Sequence, residues 1–262
     1  MIGVFDSGLG GLTVLKEFIR LLPQYDYLYL GDNVRAPYGD KDQETIYQYT
    51  KEAVDYLFTH GCTMVVLACN TASADSLRKL QADYPERKIL GVLIPLAEAA
   101  VATGAKRIGV IATTSTVQSK SYRREIQKLG PKTDVIQLAT PLLVPLIENG
   151  QERSVSARRI IKKYILKLKS FNVETVILGC THYSFVAPTI KRYLGNNIKC
   201  LDSGATVATK LQDYLQRHPE IERTLSQNKA VKILTTGAAD CFNRSAMKFF
   251  GAHIEAERVS LK

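Results

Sequence analysis

"VVLACNTAS" occupies residues 65–73 and "VILGCTHYS" residues 176–184. Each is a short apolar run followed by a small residue, a cysteine and a cluster of hydroxyl, amide or imidazole groups. An apolar run of this length, rich in β-branched residues, reads as a buried strand, and the polar cluster reads as the loop leaving it. One such phrase is ordinary; two in one chain point to an internal duplication.

Working outward, eight β-type runs alternate with helical stretches: Ile2 to Phe5, Tyr27 to Leu30, Met64 to Ala68, Ile89 to Leu93, Ile108 to Ile111, Val135 to Leu138, Thr175 to Leu178 and Ile198 to Leu201. They fall into two sets of four, "IGVF" with "IGVI", "YLYL" with "DVIQL", "MVVLAC" with "TVILGC" and "ILGVL" with "IKCL", at offsets of 106, 107, 111 and 109. A period this long is not a solenoid. It predicts an α/β protein of two pseudo-symmetric domains, each a mainly parallel sheet flanked by helices, with a cleft between them; a single sheet is the alternative and explains the offsets less well. The expected division is 1–94 plus 204–262 for the first domain and 95–203 for the second. Between the second and third runs, "QETIYQYTKEAVDYLFTHG" places Ile46, Ala53, Val54, Leu57 and Phe58 on one helical face and stops at Gly61.

In open parallel sheets ligands bind beyond the carboxyl ends of the strands. Both repeated cysteines, Cys69 and Cys180, follow their strands directly, so packing the two edges together sets two thiols across one cleft. A cysteine has a reference pKa of about 8.5, near enough to neutrality to act as thiolate base or thiol acid. Two thiols on opposite faces of a carbon can remove a proton from one side and return one to the other, which inverts the centre. That chemistry calls for no metal and no organic cofactor.

Helpers stand nearby in sequence. His182 lies two residues beyond Cys180 and titrates in the useful range. Asp6, Ser7 and the glycines of "FDSGLGG" follow the first run, and Asp32 in "YLGDN" follows the second and is placed to reach the same cleft. Asn70, Thr71, Thr113, Thr116 and Thr181 offer amide and hydroxyl groups suited to a carboxylate. Taken singly, a cysteine after a strand is commonly core, a lone histidine is commonly structural, and "GLGG" lacks both the dinucleotide fingerprint and the P-loop lysine. The repeated context is what lifts Cys69 and Cys180 above that reading; Cys62, Cys200 and Cys241 lack it.

With 262 residues, 45% hydrophobic and 23% charged, the composition is that of a soluble globule. The five cysteines are scattered without a Cys-x-x-Cys spacing, as expected of free thiols in a reducing compartment. "MIGVFDSGLGG" has no basic leader, and the stretch from Ile89 to Ala105 is too interrupted to span a bilayer, so a cytoplasmic protein without membrane contact is expected. The net charge of +10 raises nucleic-acid binding. Its clearest cluster, "ARRIIKKYILKLKS" at 157–170, carries Ile160, Ile161, Tyr164, Ile165 and Leu168 on one face, the pattern of a helix packed on a core with its charges in water; no nucleic-acid partner is expected.

"GVFDSGLGGLTVL", "YLGDNVRAPYG", "ACNTAS", "ATTSTVQSKSY", "PLIENG" and "GCTHY", in this order across nearly the whole chain, resemble the bacterial glutamate racemase family. The resemblance implies a cofactor-independent racemase of L- and D-glutamate that supplies D-glutamate for peptidoglycan, commonly a homodimer, with its active site between two α/β domains. By motif position it implies Cys69 as the base toward D-glutamate and Cys180 as the base toward L-glutamate, assisted by Asp6 and His182 respectively. Implied substrate contacts are Asp6, Ser7, Tyr38, Gly39, Asn70, Thr71, Thr181 and His182, with Asp32 and Glu148 as further acidic residues. Two positions depart from the family: Thr140 where relatives often have cysteine, and Ser184 where they have proline. Rival readings are a racemase of aspartate or another acidic compound, a cysteine hydrolase using His182 as base, and a basic binding module built on the 157–170 helix.

Overall fold

The structure, a computed structural model, describes residues 1–261. The first half runs β1 (Ile2–Asp6), α1 (Leu12–Leu21), β2 (Tyr27–Gly31), α2 (Gln43–Thr59), β3 (Met64–Leu67), α3 (Asn70–Asp83), β4 (Lys88–Gly91) and α4 (Leu93–Val101). The second runs β5 (Arg107–Ala112), α5 (Thr114–Gln118), α6 (Ser121–Leu129), β6 (Asp134–Ala139), α7 (Leu143–Glu148), α8 (Val155–Lys169), β7 (Thr175–Gly179), a 3-10 turn (Thr181–Phe185), α9 (Ala187–Leu194) and β8 (Lys199–Leu201). The chain then continues through α10 (Ser203–Arg217), α11 (Pro219–Glu222), β9 (Val231–Thr235), α12 (Ala239–Phe250) and β10 (Ala256–Arg258).

Two sheets result, every pairing in them parallel: β10-β9-β2-β1-β3-β4 and β6-β5-β7-β8. The four strands of each repeat therefore take the same spatial order, the geometry that the constant offsets predict. β1, β2, β3 and β7 are buried along their whole length, because helices cover both faces of a parallel sheet and both sets of alternating side chains must be apolar. Alternation then decides the layer: Val4 joins the large core shared by both sheets, while its neighbour Phe5 joins a second core under α2 and α3.

Local expectations hold with small corrections. Gly61 follows α2 at φ +87°, a left-handed conformation that glycine adopts without a Cβ penalty. Ala68 lies just outside β3, and the apolar run expected to be one strand from Ile89 to Leu93 divides into β4 and the start of α4, so the expected change-over at 94/95 falls inside α4. Sequence reading missed β9 and β10, which extend the first sheet alone. Along α8, Ile161, Ile165 and Leu168 are buried as expected, with Ile160 and Tyr164 half-buried at the edge. Among the described residues no helix is long and apolar enough to cross a membrane.

Candidate active site

The carboxyl ends of the central strands of both sheets meet at one cavity of about 250 Å³. That is below the roughly 300–1,000 Å³ of sites for drug-sized ligands, so the space suits a small metabolite. Cys69 and Cys180 both line it. So do the expected contacts Ser7, Tyr38, Gly39, Asn70, Thr71, Thr181 and His182, together with Thr113 and Glu148. Among the described residues no lysine or arginine reaches the wall, and no group of three or more His, Cys, Asp or Glu could hold a metal ion.

Cys69 is the N-cap of α3, its sulfur accepting from Ala72 N at 3.5 Å and standing 3.4 Å from Ser7 Oγ. Burial pushes its thiol up to about 12, the nearby Asp6 carboxylate adds to the rise, and the Ala72 and Ser7 hydrogen bonds oppose it. The first residues of α3, Asn70 and Thr71, line the cavity at a helix N-terminus, where backbone amides and the positive end of the dipole favour a carboxylate. Asn70 is fixed from both sides: its Oδ1 accepts from Tyr122 Oη at 2.6 Å and its Nδ2 donates to Ser203 Oγ at 3.3 Å.

Cys180 leads instead into the 3-10 turn and has no capping hydrogen bond. Its Sγ lies 3.8 Å from His182 Nδ1, and the other ring nitrogen, Nε2, lies 3.1 Å from Glu148 Oε1. A carboxylate at Nε2 favours the proton there, which leaves Nδ1 free to accept one from the thiol. Burial alone would lower the His182 pKa, yet the hydrogen bonds to Cys180 and Glu148 outweigh it and push the imidazole up to about 10. The Cys180 sulfur and the imidazole are thus placed to exchange a proton.

The glycines after β1 permit this arrangement. A Cβ on Gly10 would stand 2.2 Å from Thr181 Oγ1 and 2.7 Å from His182 Nδ1, so only glycine lets the first half approach the second this closely. Across the same seam, Thr71 and Thr113 hydroxyls meet at 2.9 Å, and Thr116 closes a triangle with them at 2.9 and 3.3 Å. Thr116 is thus a support beneath the wall.

Asp6 also lies behind the wall. Its Oδ2 accepts from Gly8 N at 2.9 Å, its Oδ1 is buried without a partner among the described residues, and burial raises its pKa, opposed chiefly by the charge of His182. Asp32 corrects the expectation that it reaches the cleft. It is fully buried, its carboxylate satisfied by Tyr38 Oη at 2.6 Å, Arg35 Nε at 2.6 Å and Thr236 Oγ1 at 2.8 Å, so it positions Tyr38 instead.

The family model described as Asp/Glu/Hydantoin racemase matches residues 2–211. The chain belongs to the Asp/Glu/hydantoin racemase family. It is an amino-acid racemase, an isomerase. It is 38% identical to the glutamate racemase of Streptococcus suis over 264 aligned residues, covering 99% of this chain and 98% of that protein. The crystal structure of glutamate racemase isoform RacE1 from Bacillus anthracis superposes with a TM-score of 0.93 at 35% identity, covering 100% of this chain and 97% of that one. Glutamate racemase from Francisella tularensis in complex with D-glutamate gives 0.90 at 29% identity, over 99% and 97%.

Within this racemase cavity, sequence reading missed the wall formed by Pro37, Thr140, Pro141 and Val144. Thr140, noted only as a departure from the family, is fully buried and its hydroxyl meets Tyr183 Oη at 2.6 Å. The signal for it was present in its position directly after β6, the place that Asp32 holds after β2.

Proposed function

We propose that this racemase interconverts L- and D-glutamate by proton transfer between two thiols, and that the D-glutamate formed feeds peptidoglycan synthesis in keeping with the family resemblance. The observation that carries the reading is the pair of cysteines at equivalent strand ends, lining one small cavity. Toward L-glutamate, Cys180 hands its proton to His182 Nδ1 and, as thiolate, takes the α-proton from one face. The electron pair left on the α-carbon is delocalised into the substrate carboxylate. Cys69, whose burial keeps its proton on, donates to the opposite face and completes the inversion. The reverse direction begins with Cys69 as thiolate, next to Asp6.

The wall suits a dicarboxylate that must lose a carbon-bound proton. Hydroxyls of Ser7, Thr71 and Thr181, the Asn70 amide and the amides at the start of α3 supply neutral donors for its carboxylates. Family structures bearing glutamate point to that substrate; the test is incubation of the reduced protein with L-glutamate in deuterated water, following optical activity and loss of the α-proton together. Racemisation with deuterium entering the α-carbon supports the reading. A folded, reduced protein that changes neither signal on glutamate but does so on aspartate would replace the substrate, and inertness toward both would overturn the assignment.

A further inference from the structure

The repeat leaves one part of the molecule without a counterpart: β9, α12 and β10, which follow the second half yet complete the first sheet. Helix α12 is held on that sheet by its apolar face, with Phe242, Ala246 and Phe249 buried, and by Asn243 Oδ1, which accepts from Ala256 N at 2.9 Å. Its last turn nevertheless ends on catalytic groups of the second half. The Phe249 ring meets the His182 ring edge-on, with centroids 5.7 Å apart at 81°, and packs on Phe185 at 4.3 Å. Lys248 Nζ donates to Ile147 O at 3.2 Å and to Glu152 Oε2 at 2.9 Å. Those two acceptors flank Glu148, the residue that holds His182 Nε2.

We propose that Lys248 and Phe249 are positioning residues for the reaction at Cys180: the ammonium pins the chain on both sides of Glu148 while the Phe249 ring backs the imidazole, so that Cys180, His182 and Glu148 stay in line. The contacts are directional and built. Glu152, 13% exposed, is held below its ordinary carboxyl range by Lys248 even though burial works against it. His182 is faced by Cys180 from the end of β7, by Glu148 from α7 and by the Asp6 carboxyl from β1, with the apolar Phe249 edge filling the remaining side. Glu148 is the last residue of the six-residue α7, whose buried Leu143, Val144 and Ile147 hold the helix by apolar packing, and Lys248 adds a polar cross-link on both sides of it. These α12 contacts all lie on the Cys180 side of the cavity.

The inference rests on the proposed racemisation for its kinetic readout and carries a second readout that does not. Lys248→Met and Phe249→Ala are each expected to lower kcat about tenfold, with KM changed by less than about twofold, because small displacements of a proton acceptor are costly. The alkaline limb of the kcat profile should move toward neutral pH in Lys248→Met, and Lys248→Arg should recover most of both. In the substrate-free protein, the His182 ring resonances followed by NMR should titrate at lower pH than in the parent in Lys248→Met, where the Glu148 hydrogen bond is loosened, and at higher pH in Phe249→Ala, where water replaces the ring that buries the imidazole. Phe242→Leu, buried in the same helix away from His182, should lower stability while leaving the limb and the titration in place. If the two variants lose activity but keep the parental His182 titration, or if Phe242→Leu shifts it equally, α12 is merely structural and the proposal fails. Should the parent not racemise glutamate at all, the functional reading falls while the titration still decides the strap.

Discussion

Cys69 and Cys180 stand at the same place in two halves that share one strand order, yet their surroundings are opposite in kind. The first thiol caps a fourteen-residue helix, beside a serine and a buried carboxyl group, and holds its proton up to about 12. The second opens a five-residue 3-10 turn and has an imidazole, backed by a carboxylate, 3.8 Å from its sulfur. Two residues beyond each cysteine the contrast is sharpest: Thr71 in one half, His182 in the other. The repeated strand end carries a thiol in each half; the adjoining positions give one a helix amide and a hydroxyl and the other an imidazole, the asymmetry on which the proposed two-thiol reaction draws.

The largest effect should come from removing either thiol. Cys69→Ser and Cys180→Ser are each expected to reduce racemisation by about 10³-fold, within the range of a lost general acid or base. Each should keep chemistry that needs only one base, such as elimination from a β-substituted substrate of the hand that faces the surviving thiol, and the two mutants should prefer opposite hands. Because the equilibrium constant between enantiomers is one, kcat/KM must agree in both directions for the parent; asymmetry between the halves is to be sought in kcat and KM separately. Full activity in either mutant would break the comparison at its root, and a trappable acyl-enzyme with one cysteine dispensable would replace it with hydrolase chemistry.

Closure of the seam between the halves can be broken without touching a reacting group. Gly10→Ala puts a methyl against Thr181 Oγ1 and His182 Nδ1, neither of which is a free chain end. A loss of about 10²-fold in kcat is expected from the displacement, measured alongside an unfolding midpoint that shows the protein remains folded. A substitution that leaves kcat within threefold would mean that the imidazole does not depend on the close approach.

A smaller effect sharpens the protonation contrast. Cys69 has its pKa raised from 9.0 to about 12 in the folded chain. The folded state therefore binds the proton more tightly than the unfolded one, so the associated stability is whole below about 9 and is lost as pH rises toward 12. His182, raised from 6.5 to about 10, contributes stability that is whole below 6.5 and is lost as pH rises through 10. Denaturant unfolding at a series of alkaline pH values should fall more gently for Cys69→Ala between 9 and 12, and for His182→Asn between 6.5 and 10. Interchanged windows would reverse the acid and base assignments.

The strands and the two thiols were legible in the sequence because burial on both sheet faces forces continuous apolar runs, and because a duplicated phrase survives as text. Asp32 misled for a physical reason: its Thr236 donor lies 204 residues away, and nothing local to "YLGDN" tells that the carboxylate is already satisfied. β9 escaped notice since its first two positions, Val231 and Lys232, are exposed and interrupt the apolar pattern. Thr140, from the loop after β6, and Val144, from the short α7, acquire meaning only when the two sheets face each other, as does the reach of α12 across to His182.

The least effect is expected at the helices that occupy equivalent places between the second and third strands of each half, α2 and α8. In α2, Lys51 pairs with Asp55 four residues on, at 3.1 Å, and Arg35 and Lys79 reach Glu52 and Glu44 from outside. In α8, Arg158, Arg159, Lys162, Lys163 and Lys167 form no ion pair among the described residues, although Lys169 caps α9 through the carbonyls of Tyr193 and Leu194. Arg158 with Lys162, and Lys163 with Arg159 and Lys167, are like-charged neighbours at i,i+4, each pair destabilising by roughly 0.2–0.5 kcal/mol. Replacing Lys162, Lys163 and Lys167 by glutamine should therefore leave kcat/KM within twofold and raise the unfolding midpoint slightly, more at low salt than at high. Lys51→Gln should move the midpoint the other way. Loss of activity in the α8 triple variant, with both thiols intact, would mean that this basic face does more than lie in water over the second sheet.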